Sequence, residues 1–159
     1  MKIKVFLTSL FISCSCIING QSFKSLYNEA FGFLELNDFE SALPILLEML
    51  EIQPSNANTN FSIGNCYMNS SYEKPKAIPY FEKAQEKMTI DYIVGSPREK
   101  KAPLEVIQLL GQAYHYNYEF EKAIERYEFY KQFLNKNNLE DIRSLNKYIR
   151  MSKFALEQK

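Results

Sequence analysis

Apolar residues recur at intervals of three and four along most of the chain, the period of helices that bury one face and leave the other in water. Phe39, Leu43, Leu46, Leu47 and Leu50 form one such stripe. Leu139, Ile142, Leu145, Tyr148 and Ile149 form another, with Glu140, Arg143, Asn146, Lys147 and Arg150 around the rest of that last helix. The pattern predicts helices near residues 23–36, 39–52, 57–69, 74–88, 102–117, 120–134 and 138–158. Pro54 and Ser55 then read as a stop, and Asn56 as the cap of a helix beginning at Ala57. Pro44 and Pro79 each fall two residues after an alanine, early in a second helix, where a lost donor is tolerable near the first turns. The fold class is all-α.

A second pattern lies over the first. A small residue, an aromatic three places on, an alanine further along and a bulky apolar residue at plus four occur three times: Ala30/Phe33/Ala42/Leu46, Gly64/Tyr67/Ala77/Phe81 and Gly111/Tyr114/Ala123/Tyr127. Small residues let two helices cross closely while the rings fill the space beside them, so each unit reads as a helical hairpin that needs neighbours. An irregular helical bundle is the alternative. The last helix, about 138–158, is expected to cover the apolar end of the third hairpin.

This spacing resembles the tetratricopeptide repeat (TPR), a helix-turn-helix unit of about 34 residues. Ala30, Phe33, Ala42 and Pro54 match its landmarks best, and the interval from Ala30 to Gly64 is 34 residues. The resemblance implies a TPR superhelix of repeats at about 23–56, 57–89 and 103–136 plus the capping helix. The interval from Ala42 to Ala77 is 35, one residue too many, which assigns an extra residue to the turn at 69–74. The stretch from Lys101 through Leu110-Gly-Gln-Ala-Tyr-His115 to Ile124 is more specifically similar to the last repeat of the N-terminal region in bacterial envelope proteins that also carry a β-propeller and an OmpA-like domain. That likeness implies an adaptor for an outer-membrane or secretion assembly. The alternative is a structural, self-associating element, or the N-terminal part of a larger peptidoglycan-anchored protein.

The first twenty residues agree with an envelope address. Lys2 and Lys4 precede an apolar run from Val5 to Ile18, the plan of a signal peptide over 1–20 with cleavage before Gln21. The run is shorter than the roughly 20 residues a spanning helix needs. Lipidation at Cys14 or Cys16 and an uncleaved anchor are the alternatives, and contact with a membrane is expected only with the lipid. Removing the segment takes two of 19 basic residues and none of 19 acidic ones, so the remaining chain carries a formal charge of −2, with no electrostatic footprint for nucleic acid. Cys66 is then the sole cysteine, expected as a buried inert thiol.

No constellation for catalysis, metal or cofactor stands out, and the chain reads as a non-enzyme. His115 is the one histidine, and an arrangement of His115 with Cys66 as base and nucleophile has no orienting third group in the sequence. The connection from Thr89 to Lys101 is the longest expected. Its apolar half, Ile90, Tyr92, Ile93 and Val94, is expected to pack against the second hairpin, and Pro103 to open the next helix. The connection is either a plain loop or a docking element.

In TPR arrays the first helix of each hairpin lines a concave groove through set repeat positions. The resemblance carries that role to Tyr27, Phe31 and Leu34, to Phe61, Asn65 and Met68, and to Gln108, Gln112 and His115 with Tyr116 beside them. The set is aromatic and amide-rich, suited to another protein or an extended peptide; alternatively its rings pack inside the array. The carboxylate clamp of chaperone-binding relatives is missing, since Tyr27, Phe31, Glu105 and Leu109 occupy its places.

Overall fold

The computed structural model describes residues 15–135 and 139–158, with the side chains described from residue 23 onward. The expected signal segment therefore lies outside the described residues over 1–14. Its remaining residues continue α1, Ser15–Glu35, which starts eight residues before the predicted helix, so the expected cut before Gln21 falls inside a helix of the uncleaved chain.

The other helices are α2 Phe39–Ile52, α3 Ala57–Asn69, α4 Ile78–Gln85, α5 Val106–Tyr116, α6 Phe120–Lys131 and α7 Leu139–Glu157. The described residues are all-α apart from one parallel pair of two-residue strands, β1 Met88–Thr89 with β2 Ala102–Pro103. The helix predicted over 74–88 is divided. A 3₁₀ turn at Lys74–Ala77 leads into α4, which ends at Gln85, and the final residues join β1 instead. Pro103 belongs to β2 rather than to a first helical turn, because the Ala102 amide is drawn to the Lys87 carbonyl at 2.9 Å.

Each helix packs chiefly on its neighbour in chain order, from α1 on α2 to α6 on α7. The core forms two clusters: Phe23, Ala30, Ala42, Leu46, Met49, Ile63 and Cys66 on the N-terminal side, and on the other Ala57, Met68, Ala77, Phe81 and further buried residues as far as Ile149. Tyr67 packs against both.

The repeated spacing has a direct physical counterpart. A methyl group placed on Gly64 would lie 2.5 Å from Cε1 of Phe81, and one on Gly111 would lie 2.6 Å from Cε1 of Tyr127. Both rings are fully buried, so neither can yield. In the first unit the corresponding residues are Ala30 and the smaller Leu46, both buried in the N-terminal cluster. Tyr114 then ties the third hairpin to the second by donating its hydroxyl to Glu82 at 2.5 Å.

On α7, Leu145 and Ile149 are buried and Tyr148 stacks on Tyr127 at 5.7 Å, as a covering helix requires. Leu139 departs from expectation at 59% exposure, since it stands at the first position of the helix, one turn before the face that meets α6.

Candidate functional site

The N-terminus of α3 is where the site is built. A helix start leaves its first amides without partners inside the helix. Here the Ala57 and Asn58 amides both donate to the Lys100 carbonyl, at 2.9 and 3.3 Å, and the Thr59 amide donates to the Asn56 side chain at 3.1 Å. The predicted cap at Asn56 is thus present. The Lys100 carbonyl comes from the far end of the long connection, so residues 90–101 are held against the start of α3.

Further bonds fix the connection's shape. Tyr92 donates its hydroxyl to Oδ1 of Asn58 at 2.6 Å, and the side-chain Nδ2 of Asn58 donates to the Glu99 carbonyl at 3.4 Å. The Glu99 carboxylate accepts from the amides of Ile93 and Lys101, which holds its pKa below the usual carboxylate value. Gly95, at φ +73°, brings the backbone close to the Phe31 ring. Burial, followed by the neighbouring Tyr27, Glu99 and Glu105, pushes the Tyr92 phenol up to about 12. Of the apolar half, Tyr92 alone packs back, its ring edge-on to Phe61 at 6.5 Å. Ile90, Ile93 and Val94 stay exposed, contrary to expectation, because backbone and side-chain hydrogen bonds rather than apolar burial fasten this segment.

Between this connection and the helices lies a cavity of about 630 Å³. Tyr27, Phe31 and Leu34 from α1 and Phe61 and Asn65 from α3, all among the candidate groove residues, line it. Tyr27 and Phe31 stack at 5.8 Å, and Phe61 leans on Phe81 of the core at 6.2 Å. Ile90, Tyr92 and Val94 form the wall that sequence reasoning had not assigned, together with Asn58, Leu104 and Tyr130. The apolar character of residues 90–94 was the available signal for them.

Gln108 and Gln112 lie in an adjoining cavity of about 320 Å³ with Asp141 and Ser144. Glu105 and Tyr130 border both cavities. Burial, then the carboxylates of Glu105 and Asp141, raises the Tyr130 phenol above its ordinary pKa.

The remaining assigned residues lie elsewhere. Met68 is 8% exposed inside the C-terminal core cluster, beside the altered turn that follows α3. His115 turns toward α7, its Nδ1 2.8 Å from Oγ of the buried Ser152, with the Phe120 ring 5.3 Å away. Burial lowers its pKa. Tyr116 is exposed, with the Lys74 ammonium 5.4 Å from its ring. None of these three lines either cavity.

Cys66 is buried in the N-terminal cluster and its thiol is pushed up to about 12 by burial. A thiol so protonated is a poor nucleophile. Among the described residues no group of His, Cys, Asp and Glu is placed to hold a metal ion, and no helix is long and apolar enough to cross a membrane. In comparison with known proteins, the chain matches no family model and no curated protein.

Proposed function

We propose that this chain is a TPR-type superhelical scaffold that binds an extended segment of another protein in the groove between α1, α3 and the 90–101 connection. The observation that carries the reading is the 630 Å³ cavity, lined from two successive hairpins by rings and amides at equivalent repeat positions. Partly exposed aromatics supply contact area at low entropic cost, and amides can pair with a peptide backbone. The chemistry available there is recognition, and the protein acts without catalysis. Its place is the bacterial envelope, as an adaptor for an outer-membrane or secretion assembly; the basic start, the apolar run to Ile18 and the resemblance of residues 101–124 support this.

The test is selection from a random peptide library displayed on phage, with wild type and a Tyr27→Ala/Phe61→Ala variant as baits. Peptides enriched by the wild type should bind the variant about 30-fold more weakly, the scale of losing an aromatic anchor of about 2 kcal/mol. Circular dichroism melts of both proteins separate lost binding from lost folding. Equal enrichment on a folded variant would put the interface elsewhere.

A further inference from the structure

The polar residues of the larger cavity differ in which hydrogen bonds they have already made. Asn58 is engaged on both sides, its Oδ1 accepting from the Tyr92 hydroxyl and its Nδ2 donating to the Glu99 carbonyl. Ser62 donates its hydroxyl to the Asn58 carbonyl at 3.0 Å, and Oγ1 of Thr89 accepts from the Asp91 amide at 3.1 Å. Asn65 is half engaged. Nδ2 of Asn69 lies 2.8 Å from the Asn65 carbonyl and 3.2 Å from the Asn65 side chain, so the atom facing it is the acceptor Oδ1, and the group left over is the donor Nδ2. The Tyr27 hydroxyl makes no hydrogen bond among the described residues either. What α1 and α3 offer an incoming chain is therefore N–H and O–H, beside the rings of Tyr27, Phe31 and Phe61.

An ordinary extended segment brings one N–H and one C=O per residue, and each N–H that enters without meeting an acceptor loses its hydration for nothing. Proline brings the carbonyl alone, with an apolar ring in place of the donor. Runs of proline hold the polyproline II conformation before binding, so little ordering is left to lose. Two residues of that conformation advance about 6 Å, and the near-parallel rings of Tyr27 and Phe31 stand 5.8 Å apart. Resting on the peptide-binding reading above, we propose that the occupant is a proline-rich segment in polyproline II conformation, its rings against Tyr27, Phe31, Phe61 and Tyr92 and one of its carbonyls accepting from Nδ2 of Asn65. The Tyr27 hydroxyl is the second donor for such a carbonyl. Glu105, shared with the second cavity, accepts the N–H of a non-proline residue beyond the run.

The experiment repeats the peptide selection with wild type, Asn65→Asp and the Tyr27→Ala/Phe61→Ala variant as baits. Asn65→Asp keeps the oxygen that faces Asn69 and turns the open donor into an acceptor at nearly unchanged volume. The wild type should enrich peptides with two or more prolines, including pairs two residues apart, and a folded Asn65→Asp should bind them about tenfold more weakly. In one enriched peptide, replacing a proline by alanine should weaken binding to the wild type several-fold. N-methylalanine at the same place, which also lacks the N–H, should recover most of that loss. This last comparison uses the wild type alone, so it decides the matter even if circular dichroism shows Asn65→Asp to be unfolded.

Enrichment of proline-free peptides, undiminished affinity of a folded Asn65→Asp, or N-methylalanine no better than alanine would each overturn this inference and leave peptide binding intact. Selection of nothing by the wild type, or enrichment indifferent to Tyr27→Ala/Phe61→Ala, would overturn both.

Discussion

The turn inside the first hairpin and the turn inside the third are the same object, and the turn inside the second is not. Asn37 at φ 57° and Tyr118 at φ 61° each stand seven residues after the small residue of their unit. In both turns the next amide reaches back to the ring-bearing residue: Asp38 to the Phe33 carbonyl and Glu119 to the Tyr114 carbonyl, each at 2.9 Å. Each second helix then closes its first bond alike, from Ala42 to Asp38 at 3.1 Å and from Ala123 to Glu119 at 3.0 Å.

The second hairpin carries one more residue and abandons the left-handed step. Ser70 leaves the helix in extended conformation, and the Lys74 ammonium covers the Met68 and Ser70 carbonyls at 2.6 and 2.9 Å. A left-handed residue and a lysine side chain thus solve the same problem, the unpaired carbonyls at a helix end. What the three units share is the crossing of small residue and bulky side chain. The turn is free to vary so long as that crossing keeps its place.

The largest test of this division is Gly111→Ala, or its counterpart Gly64→Ala. Either should cost about 2–3 kcal/mol by forcing a buried ring out of position, read as a lower denaturant midpoint with unchanged slope. Adding Phe81→Leu to Gly64→Ala recreates the Ala30 and Leu46 pairing of the first unit and should recover part of the loss. No recovery would mean that the units are not equivalent at their crossings.

Next comes Lys74→Ala, which removes the side-chain cap and should cost about 1 kcal/mol. Because the first and third turns have no such lysine, hydrogen exchange should quicken at the end of α3 and not at the ends of α1 or α5. Tyr118→Gly works in the other direction. A tyrosine in left-handed conformation carries strain of about 1 kcal/mol, of which the ring's edge contact with Phe120 at 6.1 Å offsets a part. The substitution should therefore stabilise by about 0.5 kcal/mol, while Asn37→Gly changes the melting temperature very little, since asparagine tolerates this conformation.

The smallest effect concerns pH. The third turn receives the carbonyl of His115 at 3.1 Å, where the first receives that of Leu34 at 3.0 Å. His115 has its folded pKa below the ordinary 6.5 through burial. The unfolded chain then binds the proton more readily, so the contribution is complete above about pH 6.5 and is lost as pH falls from there through the lower folded value. Exchange in α7 should accelerate over that range while α1 and α2 are unaffected, and His115→Gln should abolish the difference.

Much of this was legible in the residues. Helix positions, the extra residue after Asn69 and the close crossings at Gly64 and Gly111 follow from spacing, because hard-sphere packing leaves a periodic trace. The αL conformation of Tyr118 left none, since nothing in a tyrosine advertises it; it became visible only as the counterpart of Asn37. Of the candidate groove residues, Tyr27, Phe31 and Leu34 on α1 and Phe61 and Asn65 on α3 line one cavity. Met68 lies in the core instead, beside a turn whose change repeat position alone does not register. Tyr92 and Asn58 were missed as site residues because their bond joins positions 34 apart in the chain, a distance at which local pattern carries no information.

The anchoring of the 90–101 connection at both ends has a practical corollary. Its outer part, around Ile93 and Val94, is open to solvent, while β1 and β2 remain paired and Lys100 remains bonded to the start of α3. A single protease cut at that tip would leave each fragment with its own docking points on the other. The protein is thereby divisible into two complementing pieces at a place where covalent continuity adds little to the assembly.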